Sequence, residues 1–295
     1  MTIRQSLLRA LHPRPGLKAW ALLGPGTVWL LVFFLAPILI MFAYSFMPRG
    51  IYGGVESGWT LEHYRRFFDP LYLQILNRTF LWSLFATVIC LVLGYPVAYL
   101  IARSGRWKNL LLFFVVLPFW TSCLVRTFAM IFLMRDTGFI NTLLLSAGVI
   151  DQPIPMLYTP FAVMSGLVYG FLPFMILPIY ASLEKLDLSL LEAAEALGAR
   201  PMARFVRVTL PLSLPGVVAG CLLVFIPSLG SFLTSDLLGG AKQVMIGNLI
   251  QNQFSAARNW PFGSAASFIV MALVLMAVLL YLRVRDRAPG GGGVL

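Results

Sequence analysis

The residues able to do chemistry are few in this chain, and most of them gather in two short segments. One is Phe225-Ile-Pro-Ser-Leu-Gly-Ser-Phe232-Leu-Thr-Ser-Asp236, which closes a long apolar run with aromatic, hydroxyl and carboxylate side chains. Asp236 is the only acidic residue between Glu195 and Asp286. A carboxylate beside an aromatic ring suits a cation: Asp236 attracts an ammonium group and Phe232 offers a cation–π face. An acid at the outer end of a membrane span that simply meets water is the competing reading, of equal weight. Ser231 and Leu233 flank Phe232. Gln251, about four helical turns on, is a weaker candidate because an amide can only share lone pairs with the cation. Asp136 and Asp151 flank another outer loop and add negative potential there.

The second segment is Glu192-Ala193-Ala194-Glu195-Ala196-Leu197-Gly198, followed by Val208-Thr209-Leu210-Pro211. Ser189 as N-cap with Glu192 three residues later has capping-box spacing, and the alanines are strong helix formers. Gly198 stands where a left-handed residue stops a helix, and Pro201 can open a second short helix. Two short helices meeting at a glycine make a rigid knob that fits a groove on another protein.

Other chemistries are excluded. None of the four lysines, Lys18, Lys108, Lys185 and Lys242, follows a glycine, so the phosphate-cradling Gly-Lys-Ser/Thr ending of a P-loop is missing. Cys90, Cys123 and Cys221 are irregularly spaced in apolar segments and imply neither a disulfide framework nor a zinc site. His12 and His63 lie outside the spans without ligand partners. With no metal cluster, nucleophile elbow or carboxylate pair, the chain does not read as an enzyme.

The elements that must position these segments are membrane helices. Hydrophobic residues make up 59% of the 295 and charged residues 11%, and mean hydropathy is +0.86. No soluble domain of this length hides that much apolar surface. Windows poor in charge place six spans: within 19–48, 78–103, about 109–134 with Arg126 interrupting its outer part, 152–183, 208–235 and 259–282. Each can supply the roughly 20 residues that cross about 30 Å of hydrocarbon, and helices are the spanning form at such lengths. The first is too long for a signal-peptide core and reads as a retained helix. The net charge of +11 follows from loop arginines rather than from nucleic-acid binding. With the N-terminus inside, inner segments hold 14 Lys and Arg and outer segments 8, which puts both termini and the Glu192–Pro211 segment in the cytoplasm. Residues 60–68 read as an amphipathic helix on the outer surface, with Leu61, Tyr64 and Phe68 on its apolar face. Residues 1–18 form a cytoplasmic segment, and 283–295, ending in Pro289 and four glycines, a disordered cytoplasmic tail. Pro96, Pro118, Pro173, Pro178, Pro211, Pro215 and Pro227 mark helix breaks, Pro227 and Gly230 among them in the fifth span. Gly166 and Gly170 form a small-residue packing face, and Trp120 and Tyr180 read as interface-belt residues.

The Glu192–Pro211 segment resembles the EAA loop of ABC-importer permeases. That pattern is Glu-Ala-Ala, three residues, Gly, nine residues, Ile, one residue, Leu-Pro, and only Val208 departs from it. Further passages resemble the spermidine/putrescine branch: Leu124-Val-Arg126-Thr-Phe128, Leu172-Pro-Phe-Met-Ile-Leu-Pro178, Tyr180-Ala-Ser-Leu-Glu-Lys-Leu-Asp187, Ser235-Asp236-Leu-Leu-Gly239-Gly240-Ala-Lys242 and Ile246-Gly-Asn-Leu-Ile250. The resemblance implies an all-α membrane protein with six transmembrane helices in the type I importer (MetI-like) architecture, multi-pass in the bacterial inner membrane. It implies coupling through Glu192, Ala193, Ala194, Gly198, Leu210 and Pro211 in a loop at 184–211. Expected partners are two ATPase subunits, a second homologous permease subunit, a periplasmic substrate-binding protein and a polyamine. No cofactor is expected in this chain, ATP and magnesium being held by the ATPases. Ser231 and Leu233 depart from the branch pattern, so permeases for iron, thiamine or aminophosphonate stay open. An ion-coupled secondary transporter is a further alternative, though it would want intramembrane charge pairs and leave the EAA loop without a role.

Overall fold

A computed structural model describes residues 15–240 and 242–287. In chain order the helices are α1 (Pro15–Leu30), carried through a π-helical turn at Leu31–Leu35 into α2 (Ala36–Tyr44), α3 (Glu62–Phe67), α4 (Pro70–Arg103), α5 (Lys108–Val116), α6 (Cys123–Met134), α7 (Phe139–Ser146), α8 (Pro160–Glu184), α9 (Leu188–Ala196), α10 (Pro201–Arg204), carried through a second π-helical turn at Phe205–Thr209 into α11 (Leu210–Leu229), α12 (Leu233–Gly239), α13 (Ile246–Phe254) and α14 (Trp260–Arg287). Among the described residues there is no strand, only an isolated antiparallel bridge between Arg49 and Val55. Six segments are long and apolar enough to cross a membrane: Leu23–Tyr44, Pro70–Arg103, Cys123–Ser146, Pro160–Glu184, Pro201–Leu229 and Trp260–Leu280.

Most of these match the charge-poor windows, and the third does not. Residues 109–134 are not one helix. α5 ends at Val116, and a 3₁₀ turn over Leu117–Trp120 separates it from α6. Pro118 lies in that turn, where its missing N–H and fixed φ disfavour a continuous ladder. The other interior prolines do not break their helices. Pro96 lies within α4, Pro173 and Pro178 within α8, and Pro215 and Pro227 within α11. The packed neighbours of these helices hold them in line despite the lost donors. The fifth span ends at Gly230, its C-cap, and not at Pro227.

The chain divides into two units, one running from Phe68 to Asn252 and the other taking in the chain up to Phe67 and from Gln253 on. The larger is built on α4, α8 and α11. One core joins Cys90, Tyr95, Ala98 and Ile101 of α4 to Met175, Ile176 and Ile179 of α8 and Val224 of α11. A second joins Ala86 of α4, Ile131 and Met134 of α6, Val163 and Leu167 of α8 and Leu238 of α12. Glycines permit the approach. A Cβ at Gly216 would lie 2.5 Å from the Pro178 carbonyl oxygen and 2.4 Å from Ser182 Oγ, and one at Gly220 2.8 Å from Met175 Sδ. In hydrocarbon such close packing, not water exclusion, holds helices together. Two polar contacts lie among these helices: Tyr95 OH lies 2.9 Å from Ser213 Oγ, and Thr87 Oγ1 donates to the Ser83 carbonyl at 2.7 Å. Tyr180 is buried in this core, which removes it from the interface belt. Gly166 and Gly170 differ: a Cβ at Gly166 would press on Leu238 and Thr234 of α12, while none lies within 4 Å at Gly170.

In the other unit α14 packs on α2 and α3. Phe42 meets Phe268 edge-on at 5.2 Å, and the Arg66 guanidinium sits 5.2 Å over Phe262. The residues that α3 buries are His63 and Phe67, four residues apart, while Leu61 and Phe68 are exposed. His63 Nε2 lies 3.0 Å from the Met47 carbonyl oxygen, a polar fit that apolar periodicity does not register. α14 continues to Arg287, so residues 283–287 belong to a helix and not to a tail. Residues 288–295 and the N-terminal segment before Pro15 lie outside the described residues.

The glycine contacts give a stability test. Gly216→Ala forces a methyl into backbone and should destabilise the protein by about 1–3 kcal/mol. Gly170→Ala should leave stability unchanged or slightly raised, alanine being the better helix former. Thermal melts of the two purified variants in detergent measure the difference.

Candidate functional site

The EAA segment forms a knob whose cap differs from the sequence reading. Asp187, not Ser189, is the N-cap of α9, and its carboxylate accepts the Ser189 backbone N–H at 2.9 Å. That bond holds the Asp187 carboxyl below its usual range. The Ser189–Glu192 box therefore does not form. Aspartate caps as well as serine does, and two residues upstream it lengthens the helix by about half a turn.

The C-terminal end is as expected. Gly198 has φ +78°. Its N–H donates to the Glu195 carbonyl at 2.8 Å, and Ala199 N–H to the Ala194 carbonyl at 3.0 Å. These are the two bonds of a Schellman motif. No atom lies within 4 Å of where a Gly198 Cβ would stand, so conformation alone calls for glycine here.

Pro201 opens α10 at its first position, but no short second helix results. The chain runs on through the π turn into α11, so the knob is one end of a helix long and apolar enough to cross a membrane. Leu210 packs on the first core, and Pro211 opens α11. Arg204 pairs with Glu195 across the knob. Phe205 meets Tyr95 and Tyr99 of α4 edge-on at 5.5 and 6.1 Å. Between them lies a cavity of about 260 Å³ whose lining includes Tyr99, Arg103, Leu191, Glu192, Glu195 and Arg204. Glu192 and Ala193 face out, as do Leu197 (88% exposed) and Met202 (70%). Lys108 at the start of α5 pairs with Glu184 at the end of α8, and that carboxylate raises the Lys108 pKa.

The Asp236 segment sits at the other end of α8. Phe232 is the N-cap of α12, and Asp236 N–H donates to the Phe232 carbonyl at 2.8 Å. Both side chains are exposed. Asp236 lines a cavity of about 560 Å³ with Phe128, Phe132, Arg135, Tyr158 and Lys242. Its aromatic walls therefore come from α6 and the segment before α8, while Phe232, Ser231, Leu233 and Gln251 are not among its lining residues. Gln251 is not helical turns along from Asp236, because the chain leaves α12 at Gly240, in left-handed conformation, and α13 begins at Ile246. Nor is the surrounding field that of acids alone. Arg135 and Lys242 face Asp236 across the cavity, and Arg135 Cζ lies 5.2 Å over the Phe132 ring.

Several residues that fix this region carry no catalytic signature in sequence. Arg78 donates to the Val244 carbonyl. Ile246 N–H donates to Thr79 Oγ1 at 2.9 Å, and Asn248 Nδ2 to the Phe232 carbonyl at 2.9 Å. Tyr158 takes φ +61°, rare for a bulky residue and a mark of a constrained site. Its N–H donates to the Leu238 carbonyl at 3.0 Å. A Cβ at Gly240 would lie 2.3 Å from its ring, the physical reason for the second glycine of Gly239-Gly240.

With both ends described, the comparisons with known proteins are direct. Residues 91–287 match the family described as "Binding-protein-dependent transport system inner membrane component". The spermidine/putrescine transport system permease protein PotB of Escherichia coli K12 is 45% identical over 256 residues, covering 86% of this chain and 93% of that protein. PotB of Salmonella typhimurium SL1344 is 46% identical, covering 86% and 89%. A crystal structure of a bacterial alginate ABC transporter in complex with an alginate pentasaccharide-bound periplasmic protein matches with TM-score 0.73 at 19% identity, covering 94% of this chain and 96% of that one. At that identity it shows a shared fold, and the family match with the PotB relatives settles kinship. The chain therefore belongs to the binding-protein-dependent transport system inner membrane components, the non-catalytic permease subunits of ABC importers.

Proposed function

We propose that this chain is a transmembrane subunit of an ATP-driven polyamine importer and forms half of the translocation pathway. The observation that carries the substrate class is the identity to spermidine/putrescine permeases along 86% of the chain. The Asp236 cavity adds a carboxylate and three aromatic rings, groups suited to an ammonium group, beside the cations Arg135 and Lys242. Iron, thiamine or aminophosphonate import has no comparable support, and an ion-coupled carrier leaves the knob without a task.

In this reading both termini and the knob lie in the cytoplasm of a bacterial inner-membrane protein, on the strength of the bias in Lys and Arg. The Asp236 cavity then opens to the periplasm, where a substrate-binding protein delivers the solute. The solved relative in complex with its periplasmic protein supports that route. Asp236 holds an ammonium group long enough for the path to close and weakly enough to release it. Phe232, Ser231, Leu233 and Gln251 border the route beyond the cavity lining. ATP and magnesium belong to two ATPase subunits, and this chain needs no cofactor.

The knob engages one ATPase through the exposed face of Glu192, Ala193, Ala194, Leu197 and Met202, with Gly198 setting its shape and Leu210 and Pro211 anchoring it to α11. One chain offers one knob, while two ATPases close on each other around ATP. A pseudo-symmetric partner permease supplies the second. Uptake by this subunit and the ATPase alone, with the second permease deleted, would contradict that arrangement.

Gly198→Val places a β-branched residue in left-handed backbone at a cost of about 1–2 kcal/mol or more. It should reduce ATPase co-purification and transport several-fold while the protein still inserts. Gly198→Asn, which tolerates that conformation, should retain most of both. Wild-type co-purification and uptake by the valine variant would remove the coupling role. For the cavity, Asp236→Asn should lower spermidine uptake by the complete complex at least tenfold at unchanged membrane abundance, and Phe232→Ala should lower it less. Wild-type uptake by Asp236→Asn would make Asp236 a solvated helix-end residue.

A further inference from the structure

The charges around Asp236 conflict with simple capture of a polycation. Arg135, Lys242 and Asp236 are the charged groups lining the cavity, and together they carry a net charge of +1. Among the described residues none of the three makes an ion pair within 4.0 Å. All three side chains are exposed. A cavity with two cations and one anion repels spermidine from solution more than it attracts it. Arg135 also sits over Phe132, 5.2 Å from the ring centroid, and so occupies one of the π faces that would otherwise suit an ammonium group.

The walls are preset nonetheless. Tyr158 is held at φ +61° by the bond from its N–H to the Leu238 carbonyl, with its ring against Gly240. Lys242 follows Gly240 by two residues, and Ser235 Oγ ties α12 to the neighbouring Gln243 carbonyl. Arg135 ends α6 as its C-cap, with backbone in the extended region. Fixed walls with two unpaired cations at the mouth form a receptor for carboxylates. The deficit is of anions, and an acidic surface brought from outside would make it good.

We propose that Arg135 and Lys242 receive carboxylate side chains of the docked, solute-loaded periplasmic binding protein, and that this pairing turns the Asp236 cavity from net positive to net negative. The inference rests on the importer reading and outward placement proposed above. One carboxylate brings the net charge to zero and two bring it to −1. Drawing Arg135 toward a carboxylate also clears the Phe132 face. Asp236 and the freed rings then meet an ammonium group at the moment the binding protein opens over the site. Before docking, the same two cations screen Asp236 from free polyamines and small cations. The device is an electrostatic interlock: the site accepts its cation only in the presence of the protein that delivers it.

The test uses the complete transporter in lipid nanodiscs and its own binding protein loaded with spermidine. Arg135→Gln/Lys242→Gln should weaken docking at least tenfold and flatten its dependence on salt, since fewer ion pairs remain to be screened. The same variant should also let free spermidine, without binding protein, stimulate ATP hydrolysis, a gain that simple structural damage would not produce. The exchange variant Arg135→Lys/Lys242→Arg keeps both charges and should dock within about twofold of wild type; it keeps the proposal testable if the double glutamine variant assembles poorly. Unchanged docking affinity and salt dependence in the double glutamine variant would overturn the interlock while leaving the importer reading intact. Failure of the wild-type complex to dock any binding protein would instead remove the importer reading.

Discussion

The close approach of α4, α8 and α11 is the constraint on which the larger unit depends. Backbone meets backbone where Gly216 faces Pro178, and Gly220 meets Met175 of α8. In water such a core would be held by burial of apolar surface. Within lipid, the gain comes from dispersion contacts and satisfied polar groups, so the loss of one glycine is felt directly. The same packing explains why prolines in α4, α8 and α11 do not break their helices.

This packing also links the two ends of the larger unit. α8 has 25 residues and is therefore about 37 Å long. At one end Gly166 lies against Thr234 and Leu238 of α12, which carries Asp236. At the other, Glu184 pairs with Lys108, and α9 with the knob follows three residues later. α11 grows out of the knob through the π turn and lies along α8 over Gly216 and Gly220. The knob thus runs directly into a continuous, glycine-packed helix rather than into a loop. Tightly packed helices have few intermediate arrangements, so movement at one end is passed on as a step and not as a gradual strain.

Much of this was legible in the sequence because it is carried by local rules. Charge-poor windows gave most of the spans, and Gly198 announced its left-handed turn. Where competing local signals existed, the reading chose wrongly. Asp187 outcompeted Ser189 as the cap. Pro118 broke a span where Pro96, Pro173, Pro178 and Pro227 did not, a distinction set by neighbours rather than by the residue. The cavity was the least legible part. Arg135 and Tyr158 lie 101 and 78 residues before Asp236, and Lys242 just beyond a glycine turn after it, and only the tertiary fold brings cations and rings to the same carboxylate. Phe232 looked like its partner because it is near in sequence, while the rings lining the cavity come from α6 and the segment before α8.

The most direct measurement is accumulation of radiolabelled spermidine and putrescine in proteoliposomes holding the complete transporter, with ATP on the side of the ATPases and the binding protein on the other. The account requires uptake of at least one of the two polyamines that depends on both ATP and the binding protein. A complex that hydrolyses ATP and accumulates iron, thiamine or an aminophosphonate, but neither polyamine, would contradict it.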